Sequence, residues 1–374
     1  MKAYVFPGQG SQYRGMGADL FGQYGDMVKQ ADGILGYSIE ELCLEDPKRQ
    51  LDFTWYTQPA LYVVNAMSYK HQIEKDSRLP DYLAGHSLGE YNALQASGAV
   101  SFEDGLRLVQ KRGQLMSQAP KGAMAAVLGP TDAEIKELLI SSGLSTIDIA
   151  NCNSLDQTVI SGLEDDLAKA ETVFGQRDIK FIPLNTSGAF HSRYMDTAAN
   201  EFNKFIRQFN FSVPKIDVIS NVDARPYTQA QIVENLTSQI TRSVKWLESI
   251  RYMMDAGVTE FREIGVGNVL TTLIEKIQTQ LNQRRTELVD EPVKVCNDIT
   301  DDGADEQQDM AQTAKTIDAW NAAYPIGTRV LVKNHNDVFE TRTKAMLLFD
   351  RKATIYMEGY KGYFDLIDVQ PVAD

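Results

Sequence analysis

The pentapeptide Gly85-His86-Ser87-Leu88-Gly89 constrains this chain more than any other segment. The Gly-x-Ser-x-Gly form holds a nucleophilic serine on a sharp turn between a strand and a helix, so it demands a buried strand before it and a helix after it. Leu79-Pro80-Asp81-Tyr82-Leu83-Ala84 is short and apolar enough for the strand. Glu90-Tyr91-Asn92-Ala93-Leu94-Gln95-Ala96 has no helix breakers and reads as the helix. The two glycines answer a need for positive φ and for close approach of backbone to backbone. A Gly-rich turn without chemistry is the alternative for the pentapeptide taken alone.

A serine hydroxyl needs a base, normally a histidine distant in sequence and adjacent in space. Only His71, His86, His191 and His335 are available. His86 sits inside the elbow and is assigned to packing or hydrogen bonding around it, while His71 and His335 lie in polar stretches that read as solvated surface. His191 is left, in Asn185-Thr186-Ser187-Gly188-Ala189-Phe190-His191-Ser192, a small-residue loop after the apolar run Phe181-Ile182-Pro183-Leu184. A purely structural histidine stands beside that reading.

Five motifs occur in order: Phe6-Pro7-Gly8-Gln9-Gly10-Ser11-Gln12, Gly85 to Glu90, Lys111-Arg112-Gly113-Gln114-Leu115-Met116, Gly188-Ala189-Phe190-His191-Ser192 and Ile264-Gly265-Val266-Gly267-Asn268-Val269-Leu270. Together they resemble the signature set of malonyl-CoA:acyl carrier protein transacylases over about residues 1–280. The likeness is strongest to free-standing acyltransferases that serve polyketide synthases in trans.

The resemblance implies that Ser87 attacks malonyl-CoA, that His191 takes its proton, and that a malonyl-serine ester passes its acyl group to a carrier-protein phosphopantetheine thiol. It implies a dyad whose imidazole is oriented by a backbone carbonyl, by position that of Gln239, and an oxyanion hole from the N–H groups of Gln9 and Leu88. Arg112 would hold the malonyl carboxylate through its planar fork, a geometry Lys cannot copy. Phe190, Met116 and His86 complete the implied substrate contacts. Phe190 would crowd an α-methyl group and so favour malonyl, and Met116 shares a helix face with Arg112. No resident cofactor or metal is implied.

Two other readings compete. A proofreading acyl hydrolase that clears carrier proteins looks similar but tends to lose the arginine, which this sequence keeps. An idle docking subunit would have no need of Ser87, His191 and Arg112 together.

The 374 residues, 43% hydrophobic and 24% charged, can bury large cores and suggest two or three domains. No run of 18 apolar residues appears, and Met1 leads straight toward a strand, so a membrane span and a signal peptide are not expected. Cys43, Cys152 and Cys296 are odd in number and far apart, which suits a cytoplasmic protein without disulfides. The net charge of −14 argues against nucleic acid and requires a local basic patch for an acidic carrier protein, with Arg177, Lys180, Lys245 and Arg262 as candidates. A monomer is expected from the family.

The expected fold class is α/β, a hydrolase-like parallel-sheet core over 1–122 and 192–282, with a ferredoxin-like subdomain inserted at 123–191. The insertion reads β-α-β-β-α-β: strand Ala123–Leu128, helix Asp132–Ser141, strands Thr146–Asn151 and Thr158–Ser161, helix Leu163–Phe174, strand Ile179–Pro183. The core resumes with a strand at 215–220, a long helix near 229–256 and a strand at 260–264. Residues 283–312 read as an acidic linker and 313–374 as a small β-rich module, with strands near 327–333, 345–349 and 353–357. That module would either dock on the enzyme and stiffen it or recognise a synthase partner.

Overall fold

The structure is a computed structural model. It describes residues 1–76, 78–290, 316–317, 319–333, 338–341, 343–348, 352–357, 363–366 and 369–372. His335, Cys296 and most of the expected linker lie outside the described residues. The chain divides into two compact units, Met1–Asp290 and Glu291–Asp374.

Strands β1 (Lys2–Phe6) and β2 (Tyr82–Gly85) pair in parallel, Phe6 opposite Gly85. The first unit continues with β3 (Ala123–Leu128), β4 (Asp148–Ser154), β5 (Gln157–Gly162), β6 (Lys180–Pro183), β7 (Asp217–Ile219) and β8 (Glu260–Glu263). One sheet is parallel, in the order β7-β2-β1-β8. Its strands alternate between two cores, as a sheet covered on both faces requires. Tyr4, Phe6, Leu83 and Val218 pack with the helix Thr54–Lys75, while Ala3, Val5, Ala84 and Ile219 pack with Trp246, Ile250 and Ile274.

The second sheet is antiparallel, in the order β4-β5-β3-β6, and its helices Asp132–Ser141 and Glu164–Gly175 bury Ile135, Leu139, Leu167 and Phe174 against one face. A bridge between Lys121 and Gly188 closes the two crossings between these parts, three residues before His191.

Three expectations are corrected. The expected helix over 229–256 is two helices, Ile232–Gln239 and Trp246–Asp255. Val244 between them bonds in parallel to β4, its N–H to Ala150 at 2.8 Å and its carbonyl from Cys152 at 2.9 Å, and this distant pairing outcompetes the local helix. The helix Val269–Asp290 runs past the expected linker start at 283, because Gln283, Arg284, Arg285, Glu287 and Leu288 are good helix formers with no breaker among them. His71 is not plain surface: it is half-buried, its Nδ1 lying 3.2 Å from the Tyr24 hydroxyl.

In the second unit β9 (Arg329–Val332) lies between β10 (Val338–Glu340) and β14 (Val369–Pro371), and β12 (Lys352–Tyr356) between β11 (Met346–Leu348) and β13 (Tyr363–Asp365). Both sheets are antiparallel, and Val330, Val332, Ile355, Met357 and Val369 form a core of their own.

Candidate active site

β2 ends at Gly85, and the chain turns through Ser87 into the helix Gly89–Ala96. A Cβ on Gly85 would lie 1.9 Å from the Gly89 carbonyl carbon, and one on Gly89 would lie 2.0 Å from the Phe6 oxygen. Close approach is thus what both glycines provide. The expected positive φ falls on Ser87 itself, at 51°, a strained value for a residue with a side chain. His191 carries the same kind of strain, φ 57°.

The Ser87 Oγ lies 2.7 Å from His191 Nε2, and His191 Nδ1 lies 2.8 Å from the Gln239 carbonyl oxygen. That carbonyl accepts from Nδ1–H, which leaves Nε2 with the lone pair that faces the serine. A continuous helix would have claimed the same carbonyl; the break after Gln239 frees it. Burial, then the Arg112 charge, pushes His191 down to about 3, against the opposing pull of the Gln239 carbonyl. The imidazole is neutral at physiological pH and able to take a proton.

Arg112 is 1% exposed. It lies on the helix Phe102–Ser117, which packs tightly against Thr54–Lys75: a Cβ on Gly113 would stand 2.9 Å from the Thr54 oxygen. That approach delivers Arg112 Nη1 to Gln58 Oε1 at 2.7 Å, and Nη2 reaches Gln239 Oε1 at 2.9 Å and Ser87 Oγ at 3.0 Å. The guanidinium stands over the Tyr91 ring, 5.6 Å from its centre. A buried guanidinium whose Nη2 stands against a nucleophile is able to pair with an anion that reaches the nucleophile too.

Residues 3–316 match the acyl transferase domain family. The chain belongs to that acyl transferase family. Over 282 residues this acyl transferase is 55% identical to the polyketide biosynthesis malonyl CoA-acyl carrier protein transacylase BaeC of Bacillus velezensis, a match that covers 75% of this chain and 98% of that protein. The solved malonyl CoA-acyl carrier protein transacylase of Burkholderia pseudomallei superposes with a TM-score of 0.73 at 47% identity, covering 75% of this chain and 98% of the other. A malonyl-transacylase solved in complex with its type II PKS acyl-carrier protein superposes with a TM-score of 0.71 at 33% identity, covering 74% and 93%.

The remaining expected residues of the acyl transferase fall at different distances from the dyad. A Cβ on Gly8 would lie 2.3 Å from the His86 oxygen and 3.6 Å from the Leu88 nitrogen, so the Gln9 turn is pressed against the elbow where Leu88 opens its helix. Gln9 Oε1 accepts from Thr54 Oγ1 at 2.7 Å. Met116 is buried, its Sδ 3.5 Å from Gln58 Nε2, which places it behind Arg112. Phe190 is buried in the large core, its ring filling the space beside Gly188. His86 bonds outward to Asn153 Oδ1 on β4 at 2.9 Å and leans on Trp246, and burial lowers its pKa. It ties the elbow to the antiparallel sheet.

A groove of about 1040 Å³ runs from His191 between the two sheets, past Lys136, Cys152, Arg193, Arg242 and Lys245. Of the four basic candidates for docking, Lys245 alone lines it. Arg262 pairs with Asp76 and Glu260, and Arg177 borders a separate cavity beside Ile179.

Sequence reasoning passed over the polar residues that hold these groups. Asn221 Oδ1 accepts from the Ser87 N–H at 2.8 Å, and its Nδ2 donates to the Gly85 oxygen at 2.7 Å. Gln58 and Thr54 link Arg112 to Gln9. Glu90 is fully buried; burial pushes its carboxyl up to about 7, against hydrogen bonds from Tyr227, Asn221 and Gln239 and the Arg112 charge. Polar residues inside otherwise apolar helical stretches were the available signal for Gln58 and Glu90.

Proposed function

We propose that this acyltransferase moves a malonyl group from malonyl-CoA to the phosphopantetheine thiol of an acyl carrier protein, in polyketide biosynthesis. The observation that carries the reading is Arg112, buried with its Nη2 3.0 Å from the Ser87 Oγ. Ser87 Oγ attacks the thioester carbonyl carbon as its proton passes to His191 Nε2. The tetrahedral oxyanion sits between the N–H groups of Leu88 and Gln9, and the coenzyme A thiolate leaves with the proton from His191. The carrier thiol then gives its proton to His191 and attacks the malonyl-serine ester; the Ser87 C–O bond breaks, Oγ takes the proton back from His191, and the free dyad is restored. Arg112 pairs with the free carboxylate of malonyl throughout, and Phe190 beside His191 disfavours an α-methyl substituent.

The names and coverage of the relatives support transfer over hydrolysis, and a charge clamp has no use in an enzyme that clears uncharged acyl chains. The strand orders support a hydrolase-like core over 1–122 and 192–282 with a ferredoxin-like insertion at 123–191, the groove between them admitting the pantetheine arm.

The test is intact-protein mass spectrometry after brief exposure to malonyl-CoA, methylmalonyl-CoA or acetyl-CoA. Wild type is expected to gain a malonyl adduct that Ser87→Ala lacks. Equal loading by acetyl-CoA with rapid loss to water would transfer the case to the hydrolase.

A further inference from the structure

Resting on the malonyl-transfer reading, we propose that Glu90 is a positioning residue that sets the direction of the hydrogen-bond chain ending at Arg112 and Ser87, and thereby the enzyme's preference for a carboxylated acyl group. Glu90 Oε1 accepts from the Asn221 N–H at 2.9 Å and from the Tyr227 hydroxyl at 2.6 Å. Its Oε2 accepts from Gln239 Nε2, which also donates to the Ser87 carbonyl at 2.8 Å. The other end of the same amide, Gln239 Oε1, accepts from Arg112 Nη2.

A carboxylate only accepts and a guanidinium only donates, so a single orientation of the amide between them satisfies both. Glu90 reaches the second support of the elbow as well. Asn221, whose N–H it holds, clamps the Ser87 N–H, while Gln239 clamps the Ser87 carbonyl. The strained serine peptide is thus gripped from both sides, by the Gln239 amide that the carboxylate orients and by the side chain of Asn221, whose backbone N–H the same carboxylate accepts.

In Glu90→Gln no arrangement pairs every group. An amide that still accepts from Asn221 and Tyr227 turns its NH2 toward the Gln239 NH2, and flipping Gln239 turns that NH2 onto Arg112. Arg112 keeps its fixed presentation only if the new amide turns its NH2 onto the Asn221 N–H, which leaves that buried donor unpaired.

The experiment measures single-turnover loading of Ser87 by malonyl-CoA and by acetyl-CoA at pH 8, above the value of about 7 to which burial raises Glu90, in wild type, Glu90→Gln and Gln239→Met. The last variant removes the amide and keeps the backbone carbonyl that His191 uses, so it decides the matter if Glu90→Gln does not fold. The malonyl-to-acetyl rate ratio does not depend on the folded fraction. It is expected to fall roughly tenfold in either variant, the scale of one lost charge-assisted hydrogen bond. Both rates falling by one common factor, or neither changing, would overturn the proposal. No malonyl loading of wild type would overturn the transfer reading, and this inference with it.

Discussion

At the scale of single residues, the site depends on which groups are charged. His191 is kept neutral by burial and by the adjacent guanidinium. Side-chain NMR is expected to find its imidazole neutral, with the proton on Nδ1, from pH 8 down to pH 5; a midpoint near the ordinary value of about 6.5 would contradict this. The linkage has a definite sign. The unfolded chain binds this proton below about pH 6.5 and the folded one only near 3, so the term lowers stability as pH falls through that window. Arg112→Lys keeps a charge and loses the fork. Malonyl loading is expected to fall about 10–100-fold with acetyl loading little changed, read from the same mass spectra.

At the scale of elements, tight contacts place the side chains. Gly113→Ala would put a methyl 2.9 Å from the Thr54 oxygen and 3.3 Å from the Trp55 Cα, both backbone. The helices must part, at a cost of roughly 1–3 kcal/mol. For a chain of this size, calorimetry should show the melting temperature lower by about 1–2 °C per kcal/mol, with malonyl loading reduced because Arg112 retreats from Gln58. These elements were unequally legible in the sequence. The helix Asp132–Ser141 has the expected bounds, since a capping box at Thr131 and Glu134 marks its start and its apolar positions recur at helical spacing. The break after Gln239 was not legible, because Ile240 to Val244 has no Gly or Pro. Its cause is β4, far away in sequence. The role of Gln239 was implied by family likeness, and the reason its carbonyl is free came from the fold.

At the scale of the whole molecule, the two units have separate cores, and the similarity to BaeC covers 282 residues, nearly all of that protein. A chain ending at Asp290 is therefore expected to fold and to load malonyl on Ser87 at close to the full-length rate, checked by circular dichroism and mass spectrometry. Loss of loading on truncation would show that the C-terminal unit takes part in catalysis or folding.

By itself the sequence determined an elbow serine that needs a histidine base and an α/β fold to hold it, while a carboxylate clamp at Arg112 was implied by family likeness. The elbow and the alternation of strands and helices follow from residue type and local pattern, because they are written in consecutive residues. Tertiary structure alone decided how they work together. The Ser87 peptide held between Asn221 and Gln239 and the carboxylate of Glu90 behind them rest on partners more than a hundred residues apart, and the free Gln239 carbonyl rests on the pairing of Val244 with distant β4. Hydrogen-bond direction across such distances depends on packing, and a one-dimensional pattern does not carry it.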